Sequence, residues 1–195
     1  ATGFGAVYFA QEMFATRNEK LAGKRAAVSG FGNVAWGAVQ KLNELGAKVV
    51  TLSGPDGYVL DEEGVSGEKV DYLLELRASN EDIIEPYARK FKGVVFVKEK
   101  RPWEVKCDIA LPCATQNELD EKDAILLVKN GCKCVCEVAN MPSVPGAIEI
   151  IQNNGLLFAP GKAANAGGVG VSGLEMSQNA MKLHWPANEV DSRLH

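Results

Sequence analysis

Short apolar runs alternate with helix-period segments along this chain, and that rhythm restricts the fold more than any other feature. Residues 25–29, 47–53, 94–97, 108–111, 133–138 and 156–159 read as buried strands. Between them lie segments with helical spacing, such as Ala35, Ala38, Val39, Leu42 and Leu45, closed by Gly46 as a C-cap. Further helices are expected at about 4–19, 67–77, 80–91, 119–129 and 146–153, and from about 165–168 to 183. Pro86 either kinks the 80–91 segment or starts its helix, and Asn188 is placed to cap a last one. Strand and helix thus alternate roughly six times without a long linker, the pattern of a parallel sheet covered on both faces by right-handed crossovers. The turn Gly54-Pro55-Asp56-Gly57 lets residues 58–60 pair back as a small ribbon. The expected fold is a doubly wound, mostly parallel α/β sheet, and 195 residues suit one large domain.

The first strand runs into Ser29-Gly30-Phe31-Gly32-Asn33-Val34-Ala35, a G-x-G-x-x-A pattern. Glycines alone are a weak signal, but here a strand precedes them, a helix opens within them and a strand follows that helix. Gly30 permits a tight turn, Gly32 removes a Cβ from the approach of a pyrophosphate, and Ala35 brings the helix close to the sheet. The free amides of Phe31, Gly32, Asn33 and Val34, at the positive end of the helix dipole, then hold phosphate. The chain's net charge is −4, so an anion must be held by local geometry of this kind.

In such a unit an acidic residue about 20 positions on grips the adenosine ribose. Ser53 and Gly54 occupy that place, and Asp56 lies just beyond. Asp56 is either the ribose contact or simply a turn former. No Arg or Lys lies between Thr51 and Asp61, which favours NAD over NADP, with NADP or dual use left open to a cation from elsewhere in the fold.

Other features narrow the class. Five cysteines without a C-x-x-C pair point to a reducing, cytoplasmic compartment. Cys132, Cys134 and Cys136 alternate along a strand and should share one face as buried thiols rather than ligate metal. His184 and His195 have no metal-ligand spacing, so no metal site is assigned. The negative charge argues against nucleic acid or an anionic membrane as a partner, and no apolar run is long enough to cross a bilayer.

Several motifs together resemble a known family. They are Ala1-Thr2-Gly3-Phe4-Gly5, the glycine loop, Pro112-Cys113-Ala114-Thr115-Gln116-Asn117, Glu137-Val138-Ala139-Asn140-Met141-Pro142, and the long run from Pro160 through Lys162, Asn165, Val169 and Ser172 to Asn179. In order and spacing the chain resembles the Rossmann-like, coenzyme-binding domain of the hexameric bacterial glutamate dehydrogenases. The resemblance implies oxidative deamination of L-glutamate to 2-oxoglutarate and ammonia, with hydride passing to the nicotinamide of NAD(P). It also implies that residues 1–195 are a domain excised from a longer, homohexameric protein. The substrate domain with the catalytic lysine and aspartate, and the C-terminal helices, would be absent. No catalytic residue is therefore assigned, and the chain alone should bind coenzyme without turning over substrate.

By the same resemblance, Thr2 meets the nicotinamide end, and Asn33 the pyrophosphate or nearby ribose. Ala114, Thr115 and Asn140 lie beside the nicotinamide ribose, and Asn165 reaches towards nicotinamide and substrate. Ser172 meets the side-chain carboxylate of glutamate, with Val169 shaping that pocket. Without the family, Asn140 and Asn165 read as loop caps, and Ser172 as a helix-face hydroxyl. Two other functions remain open: a dehydrogenase for leucine, valine or phenylalanine, and a non-catalytic NAD-binding sensor domain.

Overall fold

The computed structural model describes residues 1–195. Seven strands form one sheet: β1 (Arg25–Val28), β2 (Lys48–Gly54), β3 (Gly57–Leu60), β4 (Val95–Lys98), β5 (Ile109–Leu111), β6 (Cys134–Cys136) and β7 (Leu157–Ala159). Their spatial order is β4-β3-β2-β1-β5-β6-β7. The five from β2 to β7 on that side run parallel, while β3 and β4 pair antiparallel at one edge. The reversal comes from the turn at Pro55 and Asp56, where Gly54 faces Gly57 in register. Gly57 sits at φ +149, and a Cβ there would lie 2.2 Å from the Val97 carbonyl oxygen.

Helices cover both faces. Helices α1 (Thr2–Ala15), α2 (Asn33–Glu44), α3 (Glu68–Ala78) and α4 (Glu85–Lys90) enclose the larger core, around Phe14, Leu42, Leu52, Leu73 and Tyr87. On the other face α5 (Glu121–Lys129), α6 (Pro145–Asn153) and a 3₁₀ turn (Pro102–Glu104) bury Trp103, Leu119, Leu127, Val135 and Ile151. Each such large apolar side chain contributes about 2 kcal/mol by leaving water. The chain ends with α7 (Gly161–Ala164), α8 (Gly167–Met181) and α9 (Ala187–Leu194). No helix is long and apolar enough to cross a membrane.

Some local expectations change. The segment 80–91 is not helical throughout: α4 begins at Glu85, with Pro86 in its first turn, where a missing N–H costs nothing. Asn80, at φ +57, belongs to the preceding turn. Asn188 is not a cap, because Pro186 holds the N-cap position of α9 and Asn188 lies inside its first turn. The alternating cysteines do not share one face. Cys134 and Cys136 join the larger core, whereas Cys132 precedes β6 and packs with Cys107 in the other.

Helix α9 is held by a buried cation. Lys41 on α2 is only 4% exposed. Its ammonium pairs with Glu44 and lies 2.9 Å from Asp191 on α9, above the rings of Phe4 and Tyr8. Burial opposes the charge on Asp191, but hydrogen bonds from Lys41 and Tyr8 hold its carboxyl below the ordinary 3.8. A depressed carboxylate stabilises the fold above its unfolded value and ceases to as the pH falls through the folded one. Acidification below pH 3.8 is therefore expected to loosen α9. Asp191→Asn should raise amide exchange across 187–194 at neutral pH and flatten its acid dependence, leaving β1 protected. Unchanged exchange would contradict this clasp.

Candidate functional site

The chain leaves β1 for β2 on one side of the sheet and β5 for β6 on the other, so the crossovers diverge between these neighbours. A crevice must open there at the carboxyl ends of the strands. The structure has a cleft of about 920 Å³ at this point. Gly30, Phe31, Gly32, Asn33 and Val34 line it, with Ser53, Gly54 and Pro55 at the carboxyl end of β2 and Cys113, Ala114, Thr115 and Gln116 after β5.

The glycine loop has the geometry its sequence called for. Gly30 takes φ +78, and a Cβ there would come within 3.2 Å of the Ala114 Cα, so the turn and the neighbouring loop are packed backbone to backbone. Gly32 is the N-cap of α2 in extended conformation, and no side chain caps the helix. No acidic residue stands in the first turn either. The α2 amides therefore face the cleft as unneutralised donors. A Cβ at Gly32 would meet nothing within 4 Å, so the space before it is open. Phe31 is buried with the larger core and also borders the cleft.

The rest of the lining is mixed in charge. Arg77, Asn80, Glu81 and Asp82 come from the end of α3 and beyond, and Lys100 and Arg101 from the loop after β4. Cations do thus reach the cleft from outside 51–61. The Cys113 thiol is pushed well above its ordinary value by burial and then by the charge of Glu118, so it is no ready nucleophile.

Two residues at and just beyond the expected ribose position have other partners. Ser53 is buried, and its hydroxyl accepts the Gly30 amide at 2.9 Å, bracing the glycine turn from below. Asp56 does not line the cleft. Its carboxylate accepts the amides of Ile84 at 2.9 Å and Glu85 at 3.0 Å, capping α4. Of the two readings of Asp56, the structural one accounts for its contacts.

The remaining predicted residues gather beyond β6 and β7. Asn165 donates to Asn140 at 2.9 Å, joining two loops at adjacent strand ends. Thr2 stands against the start of α8: its hydroxyl oxygen would be 2.6 Å from a Cβ on Gly168. Val169 is 78% exposed, and the exposed Ser172 donates to the Gly168 carbonyl at 3.2 Å within its own helix. None of Thr2, Asp56, Asn140, Asn165, Val169 and Ser172 lies in the lining of the 920 Å³ cleft. Arg77, Asp82 and Glu118, to which the sequence assigns no site role, also line the cleft. Only Glu118 left a signal, as the next acid after the 112–117 motif.

An open, doubly wound sheet with a bare helix N-terminus at its switch point defines a Rossmann-like α/β fold. The chain matches the Glutamate/Leucine/Phenylalanine/Valine dehydrogenase family over residues 1–195, and it belongs to that family. It is 61% identical over 195 residues to the NAD-specific glutamate dehydrogenase of Bacteroides fragilis, covering all of this chain and 44% of that protein. It is 52% identical to the NADP-specific glutamate dehydrogenase of Haemophilus influenzae, covering 43% of it. A solved glutamate dehydrogenase structure superposes with a TM-score of 0.97 at 52% identity, over the whole of this chain and 44% of that one. The chain thus spans less than half the length of these relatives.

Proposed function

We propose that residues 1–195 are the coenzyme-binding part of an NAD(P)-dependent glutamate dehydrogenase. The observation that carries this reading is the unneutralised start of α2, with open space before Gly32, facing a cleft of dinucleotide size. The amides of Gly32, Asn33 and Val34 would hold the diphosphate. Ser53, Gly54 and Pro55 would flank the adenosine, and Ala114, Thr115 and then Asn140, Asn165 and Thr2 the nicotinamide half. The bound coenzyme supplies hydride transfer, and this chain's residues supply its orientation and neutralise its charge.

The substrate is L-glutamate, in equilibrium with 2-oxoglutarate and ammonia. Ser172 is exposed on α8, and its hydroxyl can exchange its bond within the helix for a substrate carboxylate. The family also includes enzymes for apolar amino acids, and that hydroxyl favours an acidic side chain over leucine or phenylalanine. Groups that move protons during turnover belong to the remainder of the enzyme, a cytoplasmic homohexamer in this reading.

NAD is the preferred coenzyme. Glu81 and Asp82 border the adenosine side and oppose a 2′-phosphate, while Arg77 beside them leaves a route for NADP. Paired fluorescence titrations should show NADH binding more tightly than NADPH. Equal or inverse affinities would overturn the preference, and failure to bind either would overturn the coenzyme assignment.

A further inference from the structure

Beneath the loop that follows β5 lies a carboxylate that the coenzyme reading leaves unused. Glu118 is 5% exposed. Its Oε1 accepts the amide of Ala114 at 2.9 Å and that of Thr115 at 3.2 Å. Ser29, fully buried just past β1, accepts the preceding amide, that of Cys113, at 2.8 Å, and its hydroxyl favours the charged form of Glu118. Three consecutive amides thus converge on one buried Ser–Glu pair. The main-chain carbonyl of Glu118 is fixed as well, accepting from Arg101 at 2.6 Å and from Trp103 at 3.3 Å.

This arrangement is costly. Burial pushes the Glu118 carboxyl above its ordinary value, against the hydrogen bonds from Ser29, Ala114 and Thr115 and the charge of Arg101. An apolar side chain would avoid that desolvation but would leave the partly buried amides of Ala114 and Thr115 without this acceptor. What the carboxylate secures is the position of the loop. Ala114 sits so close to Gly30 that a Cβ there would lie 3.2 Å from the Ala114 Cα, so the pinned amides set the height of Ala114 and Thr115 over the glycine turn.

We propose that Glu118, supported by Ser29, is a positioning residue for coenzyme. It gathers the amides of 113–115 inward, and so holds Ala114 and Thr115 where the nicotinamide half of the dinucleotide must pass. The proposal rests on the coenzyme reading given above. It makes a distinction that a general loss of structure would not: the adenosine side of the cleft, formed after β2, is built without Glu118. Disturbing Glu118 should affect a whole dinucleotide and spare a ligand that stops at the diphosphate.

The test is titration of the 195-residue chain with NADH and with ADP, for wild type, Glu118→Ala and Glu118→Gln. Glu118→Ala should bind NADH about tenfold more weakly and ADP within about twofold of wild type. Glu118→Gln keeps an oxygen that can accept both amides, and NADH should stay within about threefold. Wild-type NADH affinity in Glu118→Ala would overturn the proposal, as would equal losses of NADH and ADP, or a Gln variant as weak as the Ala one. If Glu118→Ala does not fold, Ser29→Ala puts the same question: weaker NADH with ADP retained supports the proposal, and unchanged NADH overturns it. A wild-type chain that binds neither ligand would overturn the coenzyme reading, and the proposal with it.

Discussion

Gly32→Val should abolish detectable NADH binding, weakening it by about 100-fold or more, while leaving the fold nearly as stable as wild type. Glycines in phosphate loops usually serve turn and ligand together, so their substitution confounds unfolding with lost binding. Here the two roles fall on different residues. Gly30 carries the turn, at φ +78 and against Ala114. Gly32 has negative φ and nothing within 4 Å of an added Cβ, so a valine there meets only an incoming diphosphate. Exchanging Gly for Val at an N-cap costs on the order of 1 kcal/mol, a shift of about 2–4 °C in Tm for a chain of this size. A loss of about 100-fold in affinity corresponds to roughly 2.7 kcal/mol, well separated from that small stability change. Fluorescence titration beside a thermal melt checks both. Equal affinity in the two proteins would remove the diphosphate from the start of α2.

The glycine loop was legible because strand, turn, helix and strand are contiguous in the chain, each with its own local signal. The parallel sheet was legible for a similar reason: strands covered on both faces need apolar residues on both. What escaped the sequence reading depends on distant partners. Asp56 lies in the stretch where a ribose acid is sought, but its partners at the start of α4 are 28 and 29 positions away. Nothing local in the sequence marks Glu118 and Lys41 as buried charges. They are buried because the fold brings Ser29 under one and Asp191, 150 positions away, over the other. Counting alternate cysteines assumed a strand from residue 132, and β6 starts at Cys134. These departures share a cause: a polar residue's role is set by what the fold brings to it, which periodicity does not encode.

Gly3→Ala, an addition of one methyl group, is expected to cause the largest loss of stability among the substitutions considered. A Cβ on Gly3 would lie 2.4 Å from the Ala38 nitrogen, 2.5 Å from the Val34 carbonyl oxygen and 2.9 Å from the Gly37 carbonyl carbon. All three are backbone atoms of α2, and no side chain can swing aside. Helix α1 must then move away from α2. It cannot do so freely, because Gly5 on the same helix is packed as closely against α8: a Cβ there would be 2.7 Å from the Gly167 Cα. Overpacking a dense interior costs about 1–3 kcal/mol where side chains can adjust, and this site lies at or beyond the upper end of that range. The favourable helix propensity of Ala over Gly, about 1 kcal/mol, offsets only part of it. A fall in Tm of about 5 °C or more should follow. The displacement would also carry Thr2 away from the start of α8, so any Gly3→Ala protein that remains folded should bind NADH more weakly than wild type. Unchanged Tm in Gly3→Ala would mean that α1 does not pack on α2 through this glycine, and that Thr2 owes its place to something else.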